Sequence, residues 1–262
     1  MADQDDIDAS RAPLMDHLIE LRRRLLISFA TLAVLFGVCM YFSEPIFGVL
    51  VHPLVKAGQS KLIYTKLFEA FFVQLKVAFF AAMILSFPVI ANQLWQFVAP
   101  GLYRKEKRAL LPFLLATPVL FAGGCALAYY VAIPGALHFL LGYQTNVGGV
   151  QREALPSVDN YLDFVMQFLF GFGVAFLMPV LLMLVERAGL VTLGQLVRAW
   201  RYAILGCFAI ALFLAPPDAG SMVMLATPLV GLYVLTLGAI WLTSRGRAKA
   251  RAAEEAEDAA AA

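Results

Sequence analysis

The stretch "HLIELRRRLLISFATLAVLFGVCMYF", residues 17–42, decides the fold of this chain. A cluster of arginines stands directly in front of an apolar run, and that run is long enough to cross a hydrocarbon core of about 30 Å. The 262 residues are 61% hydrophobic with a mean hydropathy of +0.79, which is too apolar for the surface of a water-soluble domain. We therefore predict an all-α, polytopic membrane protein.

Apolar runs separated by polar or Pro/Gly clusters divide the rest of the chain in the same way. They predict one membrane domain, 1–243, with six transmembrane helices at about 24–42, 67–93, 109–140, 160–186, 199–214 and 222–243. The last two spans are close to the lower length limit, and only "APPDAGS" (215–221) separates them, so a tight hairpin is expected there. The two longer connections, 43–66 and 141–159, are predicted to be partly ordered loops.

Lysine and arginine are distributed unevenly between the two sides of the predicted membrane. Fifteen of the twenty lie next to the termini or in the second-to-third and fourth-to-fifth connections, four lie in the opposite loops, and Lys76 lies within the second span. Both termini are therefore predicted to be cytoplasmic. The acidic start "MADQDDIDAS" does not resemble a signal or transit peptide, so we expect a retained first span in a bacterial inner (plasma) membrane. The Ala-rich end, 244–262, predicts a mobile cytoplasmic tail.

The sequence lacks the motifs of hydrolytic and nucleotide-binding enzymes. It contains no HExxH, GxSxG or GxxxxGK[ST] pattern, so we predict no enzyme activity, no cofactor and no metal site. The main ionisable groups within the spans are Glu69 and Lys76. Two interpretations of them stay open: a functional intramembrane pair, or an interfacial carboxylate beside an ammonium that is paired or snorkelled.

Two isolated carboxylates lie among basic residues on the predicted cytoplasmic face. Glu20 precedes the first span and has Arg24 four positions later, while Glu106 stands inside "YRKEKR" (103–108). An exposed intrahelical pair is worth only a few tenths of a kcal/mol, about 0.3–0.5, and explains little by itself. A carboxylate in such surroundings is also suited to receive the guanidinium of an arginine-bearing peptide. The residues alone leave both interpretations open.

Several stretches of the chain resemble the TatC family, the multi-spanning subunit of the twin-arginine protein translocase. They occur in family order and cover most of the chain: "HLIELRRRL" (17–25), "PLVK" (53–56), "TKLFEAFFVQLKV" (65–77), "FPVIANQLWQFVAPGLYRKEKR" (87–108), "YLDFVMQFLFGFGVAF" (161–176) and "APPDAGS" (215–221). The resemblance implies a glove-shaped bundle of six helices that recognises twin-arginine signal peptides on folded precursors and uses the proton-motive force.

The resemblance also implies roles for individual residues. The signal-binding carboxylates of the family match Glu20 and Glu106, and the neighbouring motif positions are Leu21, Arg22, Phe97, Pro100 and Tyr103. Pro53 matches a position in the outer cap, and Pro217 and Asp218 match the turn between the last two spans.

The partners that the resemblance implies are single-span TatA-like and TatB-like subunits docking on the fourth to sixth spans, other TatC copies in a hetero-oligomer, and membrane lipid, but no nucleic acid. Many family members carry polar residues at the positions of Leu177 and Met222, and both are apolar here. Docking is expected either to rely on packing at these two residues or to use a polar contact at Gln167 or Thr227, with Thr236 nearby.

Two other function classes fit the sequence less well. A small-molecule secondary transporter would need paired broken helices and polar chemistry at mid-depth, which the sequence does not display. A structural membrane scaffold would explain the apolar composition but not the two carboxylates in basic surroundings.

Overall fold

The computed structural model describes the backbone of the chain except at residues 1, 60, 103–106, 143–145, 148–149, 152–155, 188–189, 215–218 and 262. Side chains are described for residues 15, 18–59, 61–97, 115–142, 156–187, 190–212, 220, 222–223 and 225–243.

The described backbone is almost entirely helical, which confirms the predicted all-α class. In chain order the elements are α1 (Ala2–Tyr41), α2 (Ser43–Lys56), α3 (Glu69–Leu102), α4 (Lys107–Leu127), a π-helical turn (Ala128–Ala132), α5 (Ile133–Leu141), β1 (Asn146–Val147), β2 (Val150–Gln151), α6 (Val158–Ala175), α7 (Met178–Arg187), α8 (Leu193–Arg198), α9 (Trp200–Leu214) and α10 (Ala219–Ala261). The two strands form a small antiparallel hairpin.

Five helical segments among the described residues are long and apolar enough to cross a membrane. They are Leu18–Tyr41, Glu69–Phe97, Leu115–Leu141, Val158–Arg187 and Leu225–Thr243. Each overlaps a predicted span. The predicted span at 199–214 corresponds to a shorter apolar helix, Trp200–Leu212, so the count of six and the cytoplasmic termini stay predictions. The tail 244–262, predicted to be mobile, continues α10 as far as Ala261.

The chain divides into two compact units. The first comprises Met1–Val119 with Glu153–Met166, and the second comprises Leu120–Arg152 with Gln167–Ala262. The grouping of both units into one membrane domain over 1–243 stays a prediction.

In the first unit, α1 packs against α3 along a narrow seam of small residues. Cys39, Ala78 and Ala82 are buried there, and Phe36 meets Phe79 edge to face with ring centroids 6.2 Å apart. Small side chains let two helices approach closely, which favours van der Waals contact. Only 6% of the apolar window of this first span is buried within the chain, so most of its surface is exposed.

The segment 43–66 is more ordered than the sequence predicted, since most of it is the helix α2. The Tyr161 hydroxyl donates to the Leu50 carbonyl at 3.0 Å, which fixes α2 against α6. Ile63 and Ser157 form a parallel bridge, with the Val158 amide donating to the Ile63 carbonyl at 3.0 Å. The start of α3 and the start of α6 are thereby joined at one end of the first unit.

In the second unit, α4 and α6 approach so closely that glycine is required on both. A β-carbon at Gly124 would lie 2.5 Å from the Phe172 carbonyl oxygen, and one at Gly173 would lie 2.6 Å from the Phe121 ring. The Cys125 thiol donates to the Leu169 carbonyl at 3.4 Å across the same contact. This contact is the tightest backbone approach among the described glycines.

A break separates α6 from α7 at residues 176–177. Pro179 has no N–H to donate to the carbonyl four residues earlier, so the helical ladder is interrupted there. The Leu177 amide instead donates to the Val174 carbonyl at 3.0 Å. Leu177, a predicted docking residue, therefore lies at a bend of the fourth span.

Candidate functional site

Glu20 projects from α1 with about a third of its side chain exposed (36%). Its Oε1 accepts from Arg24 Nε at 3.1 Å, and Arg24 Nη2 makes a second, shorter contact with the same oxygen. The predicted pairing of Glu20 with Arg24 is confirmed. Glu20 therefore already holds a guanidinium of its own helix.

Arg24 also reaches from α1 to α3. Its Nη1 donates to Gln96 Oε1 at 2.7 Å and lies 3.5 Å from Gln93 Oε1, and Gln96 in turn donates to Asn92 Oδ1 at 3.1 Å. Only 18% of the Arg24 side chain is exposed. These glutamines were not predicted as site residues, although amide side chains near the end of an apolar span are a recognisable signal.

The other residues of the predicted peptide site are only partly described. Leu21 and Phe97 are half-buried, and Arg22 is exposed. Pro100 lies in the last turn of α3, but its side chain is not among those described. Tyr103 and Glu106 lie outside the described residues. The structure therefore brings Glu20 to the end of α3 and leaves the position of the second carboxylate open.

Glu69 is buried at the opposite end of α3, with 3% of its surface exposed. Its Oε2 accepts from the Thr65 amide at 2.5 Å, the Thr65 hydroxyl at 3.0 Å and the Lys66 amide at 2.9 Å. Its Oε1 accepts from the Asp159 amide in the first turn of α6 at 3.0 Å. This carboxylate holds the entry to α3 and the start of α6 together.

Lys76 lies two turns further along α3 and is paired. Its Nζ lies 2.5 Å from Asp159 Oδ1 and 2.7 Å from Asp163 Oδ1, while Lys66 Nζ lies 3.6 Å from Asp159 Oδ2. Of the two interpretations left open by the sequence, the structure supports a paired ammonium. Asp159 and Asp163 were not predicted as partners of Lys76. Two acids one helical turn apart mark the start of an apolar run, but nothing in the sequence connects them with Lys76.

The predicted docking residues differ in what they offer to a partner. The Thr227 hydroxyl donates to the Val223 carbonyl at 2.8 Å, and that of Thr236, which is buried, donates to Leu232 at 2.6 Å, so both bond to their own helix. Leu177 and Met222 are half-buried and Gln167 is exposed.

An apolar cavity of about 610 Å³ lies within the second unit, among residues of α6, α7, α9 and α10. Its walls include Phe170, Val174, Met178, Leu181, Ile210 and Leu229. Of the predicted structural residues, Pro53 is buried in the last turn of α2, whereas Pro217 and Asp218 lie outside the described residues.

Comparison with known proteins gives a consistent result. A family model described as "Sec-independent protein translocase protein (TatC)" matches residues 16–228. A TatC protein of Magnetococcus marinus is 46% identical over 252 residues, covering 95% of this chain and 92% of that protein. A TatC protein of Aquifex aeolicus is 38% identical over 228 residues, covering 86% of this chain and 93% of that protein. A crystal structure of the twin-arginine translocase receptor TatC in DDM matches with a TM-score of 0.76 at 36% identity, covering 85% of this chain and 98% of that one.

Proposed function

The chain belongs to the TatC family of Sec-independent protein translocase proteins, and from this premise we propose that Glu20 and Glu106 bind the paired arginines of a signal peptide. The chain is a multi-pass inner-membrane subunit of the translocase that exports proteins with twin-arginine signals. The proposal concerns which of its residues read that signal.

The observation that carries the proposal is the contact between Glu20 and Arg24. A carboxylate that is about a third exposed and accepts two N–H groups from one guanidinium has the reach and the access that an incoming arginine needs. Charge-assisted bonds of this kind are short and directional, which gives orientation as well as attraction. Leu21 and Phe97, which follow Glu20 and Gln96 in the sequence, are half-buried apolar residues, and exposed Arg22 belongs to the same motif as Glu20.

Glu106 is assigned to the second arginine on sequence grounds. It is the one acid within "YRKEKR", four residues after the end of α3 at Leu102. Since Arg24 ties Glu20 to Gln96 of α3, a carboxylate shortly after that helix fits a site for two arginines.

Glu20→Ala and Glu106→Ala should each weaken binding of a twin-arginine peptide by about one to two decades, because a charge-assisted contact of roughly 1.5–3 kcal/mol is lost. Glu→Asp should be milder than Glu→Gln if charge matters more than reach. The measurement is crosslinking or titration of a labelled peptide, with a two-lysine peptide as the control. Unchanged binding in the double alanine variant would contradict the carboxylate mechanism.

We further propose that single-span TatA-like and TatB-like helices dock on the fourth to sixth spans, in a hetero-oligomer with other copies of this chain. Packing is favoured over a buried hydrogen bond because the Thr227 hydroxyl is already bonded within α10. Leu177 precedes Met178 of the cavity wall, and Met222 lies two turns before Leu229 on one helix face. Hydrogen bonds between membrane helices average only about 0.6 kcal/mol, so packing can replace one.

Leu177→Ala should therefore reduce crosslinking to a partner helix more than Gln167→Ala or Thr227→Val does, with the protein still present in the membrane. The loss expected for a truncated, half-buried leucine is about 1–2 kcal/mol. If Leu177→Ala is silent while either polar substitution abolishes export, docking depends on a relocated polar contact instead.

The overall function has a direct test. Export of a reporter carrying a twin-arginine signal peptide should be restored when this chain replaces the TatC of a deficient host. A two-lysine signal on the same reporter should give no export. Failure of the twin-arginine reporter, with the chain correctly inserted, would argue for a different cargo.

A further inference from the structure

Glu20 and Arg24 raise a question that the proposed carboxylate mechanism leaves open. The carboxylate proposed to bind a passenger arginine already accepts, through its Oε1, from an arginine of the same helix. An incoming guanidinium must either displace Arg24 or share the carboxylate with it. The surroundings of Arg24 indicate which of these happens.

Arg24 has a second set of hydrogen-bond acceptors on α3. Gln96 Oε1 lies 2.7 Å and Gln93 Oε1 lies 3.5 Å from its Nη1, so the guanidinium touches the carboxylate and an amide at the same time. A largely buried guanidinium is costly to leave without acceptors, and here the amides keep it bonded after Glu20 is given up. The two amides therefore lower the free-energy cost of breaking the contact between Arg24 and Glu20.

On this geometry we infer that Arg24 is an internal competitor for Glu20, which yields the carboxylate to an incoming arginine and shifts onto Gln96 and Gln93. The inference rests on the proposed role of Glu20. It makes Arg24 a specificity-determining residue. A ligand binds Glu20 only if its interaction with the carboxylate is favourable enough to displace the Arg24 guanidinium. A lysine ammonium is a strongly hydrated point charge without the planar fork of a guanidinium, and is a poorer competitor.

The test is titration of the full-length protein in lipid nanodiscs with a fluorescent twin-arginine signal peptide. Arg24→Gln removes the competitor and should tighten binding about two- to fivefold, the range that a partly exposed ion pair is worth. Arg24→Gln should also reduce the ratio of the affinity for the twin-arginine peptide to the affinity for a two-lysine peptide. Arg23→Gln removes the same charge from an exposed neighbour and is the matched control. The gain in peptide affinity must be larger in Arg24→Gln than in Arg23→Gln.

A second substitution separates competition from a simple structural role. Gln96→Leu takes away the alternative acceptor and should weaken peptide binding about two- to fivefold by holding Arg24 on Glu20. In the Arg24→Gln background the same substitution should have no effect. If Arg24→Gln weakens peptide binding, Arg24 positions the Glu20 carboxylate for the peptide, and the inference that Arg24 competes for it is wrong.

Glu20→Ala, measured alongside, distinguishes failure of the competition from failure of the proposed role of Glu20. Lost binding in Glu20→Ala together with weaker binding in Arg24→Gln overturns the competition and leaves the carboxylate proposal standing. Unchanged binding in Glu20→Ala overturns both.

Discussion

Gly124→Val should prevent the second unit from packing and remove most folded protein from the membrane. The first added carbon would lie 2.5 Å from the Phe172 carbonyl oxygen and 2.9 Å from the Phe176 β-carbon. Because the obstructing atoms are the Phe172 carbonyl and a β-carbon bonded directly to the backbone, and not the tip of a flexible side chain, α4 and α6 must move apart. Overpacking of this kind costs on the order of 3 kcal/mol or more.

The neighbouring Gly123 is a matched control on the same helix. A β-carbon there meets nothing within 4 Å, so Gly123→Val changes helix propensity equally without the clash. The measurement is the melting temperature of the purified protein and its resistance to protease in membranes. Equal behaviour of the two valine variants would mean that close approach at Gly124 does not determine stability.

Glu69→Ala should destabilise the first unit by about 2–6 kcal/mol, because four part-buried donors lose their acceptor together and each such hydrogen bond contributes about 0.5–1.5 kcal/mol. The amides of Thr65, Lys66 and Asp159 and the Thr65 hydroxyl all depend on this one carboxylate. The segment before α3 and the first turn of α6 should loosen together.

Glu69→Gln tests whether the hydrogen bonds or the volume matter. Glutamine keeps the size but turns one acceptor oxygen into an NH₂ group, which meets donors, so this variant should lose at least half of the stability that Glu69→Ala loses. Glu44→Ala, at an exposed acid in the first turn of α2, is the control for charge. Hydrogen exchange at the Asp159 amide is the local readout; full protection in Glu69→Gln would contradict this account.

The membrane fold was predictable because its signal is local and strong. Span length and apolar composition are properties of single segments, so each of the five candidate helices overlaps a predicted one. The Glu20–Arg24 pair was predictable for the same reason, since a spacing of four on one helix decides it. The helix α2 was missed because Pro53 and the flanking glycines suggest a loop, whereas burial of Leu50 and Leu54 stabilises a helix there.

Contacts between distant segments could not be predicted from one sequence. Lys76 needs a counter-charge, but nothing near it in the chain identifies Asp159 or Asp163 as the partner, since any acid at that end of a span would serve. The link from Arg24 to Gln96 has the same origin. The bridge between Ile63 and Ser157 and the packing around it place the first turn of α6 beside α3. This tertiary arrangement decides which acids lie next to Lys76.

The pairing of Lys76 also has a consequence for synthesis of the chain. Its partners are encoded 83 and 87 residues later, so a ribosome working at about 5–20 residues per second takes about 4–17 seconds to supply the first of them. During that interval the second span is in the membrane with an ammonium that no carboxylate neutralises. Its flexible stem must carry the charge back toward the headgroups until the fourth span arrives. A chain truncated before Asp159 would keep Lys76 without either of these two carboxylates.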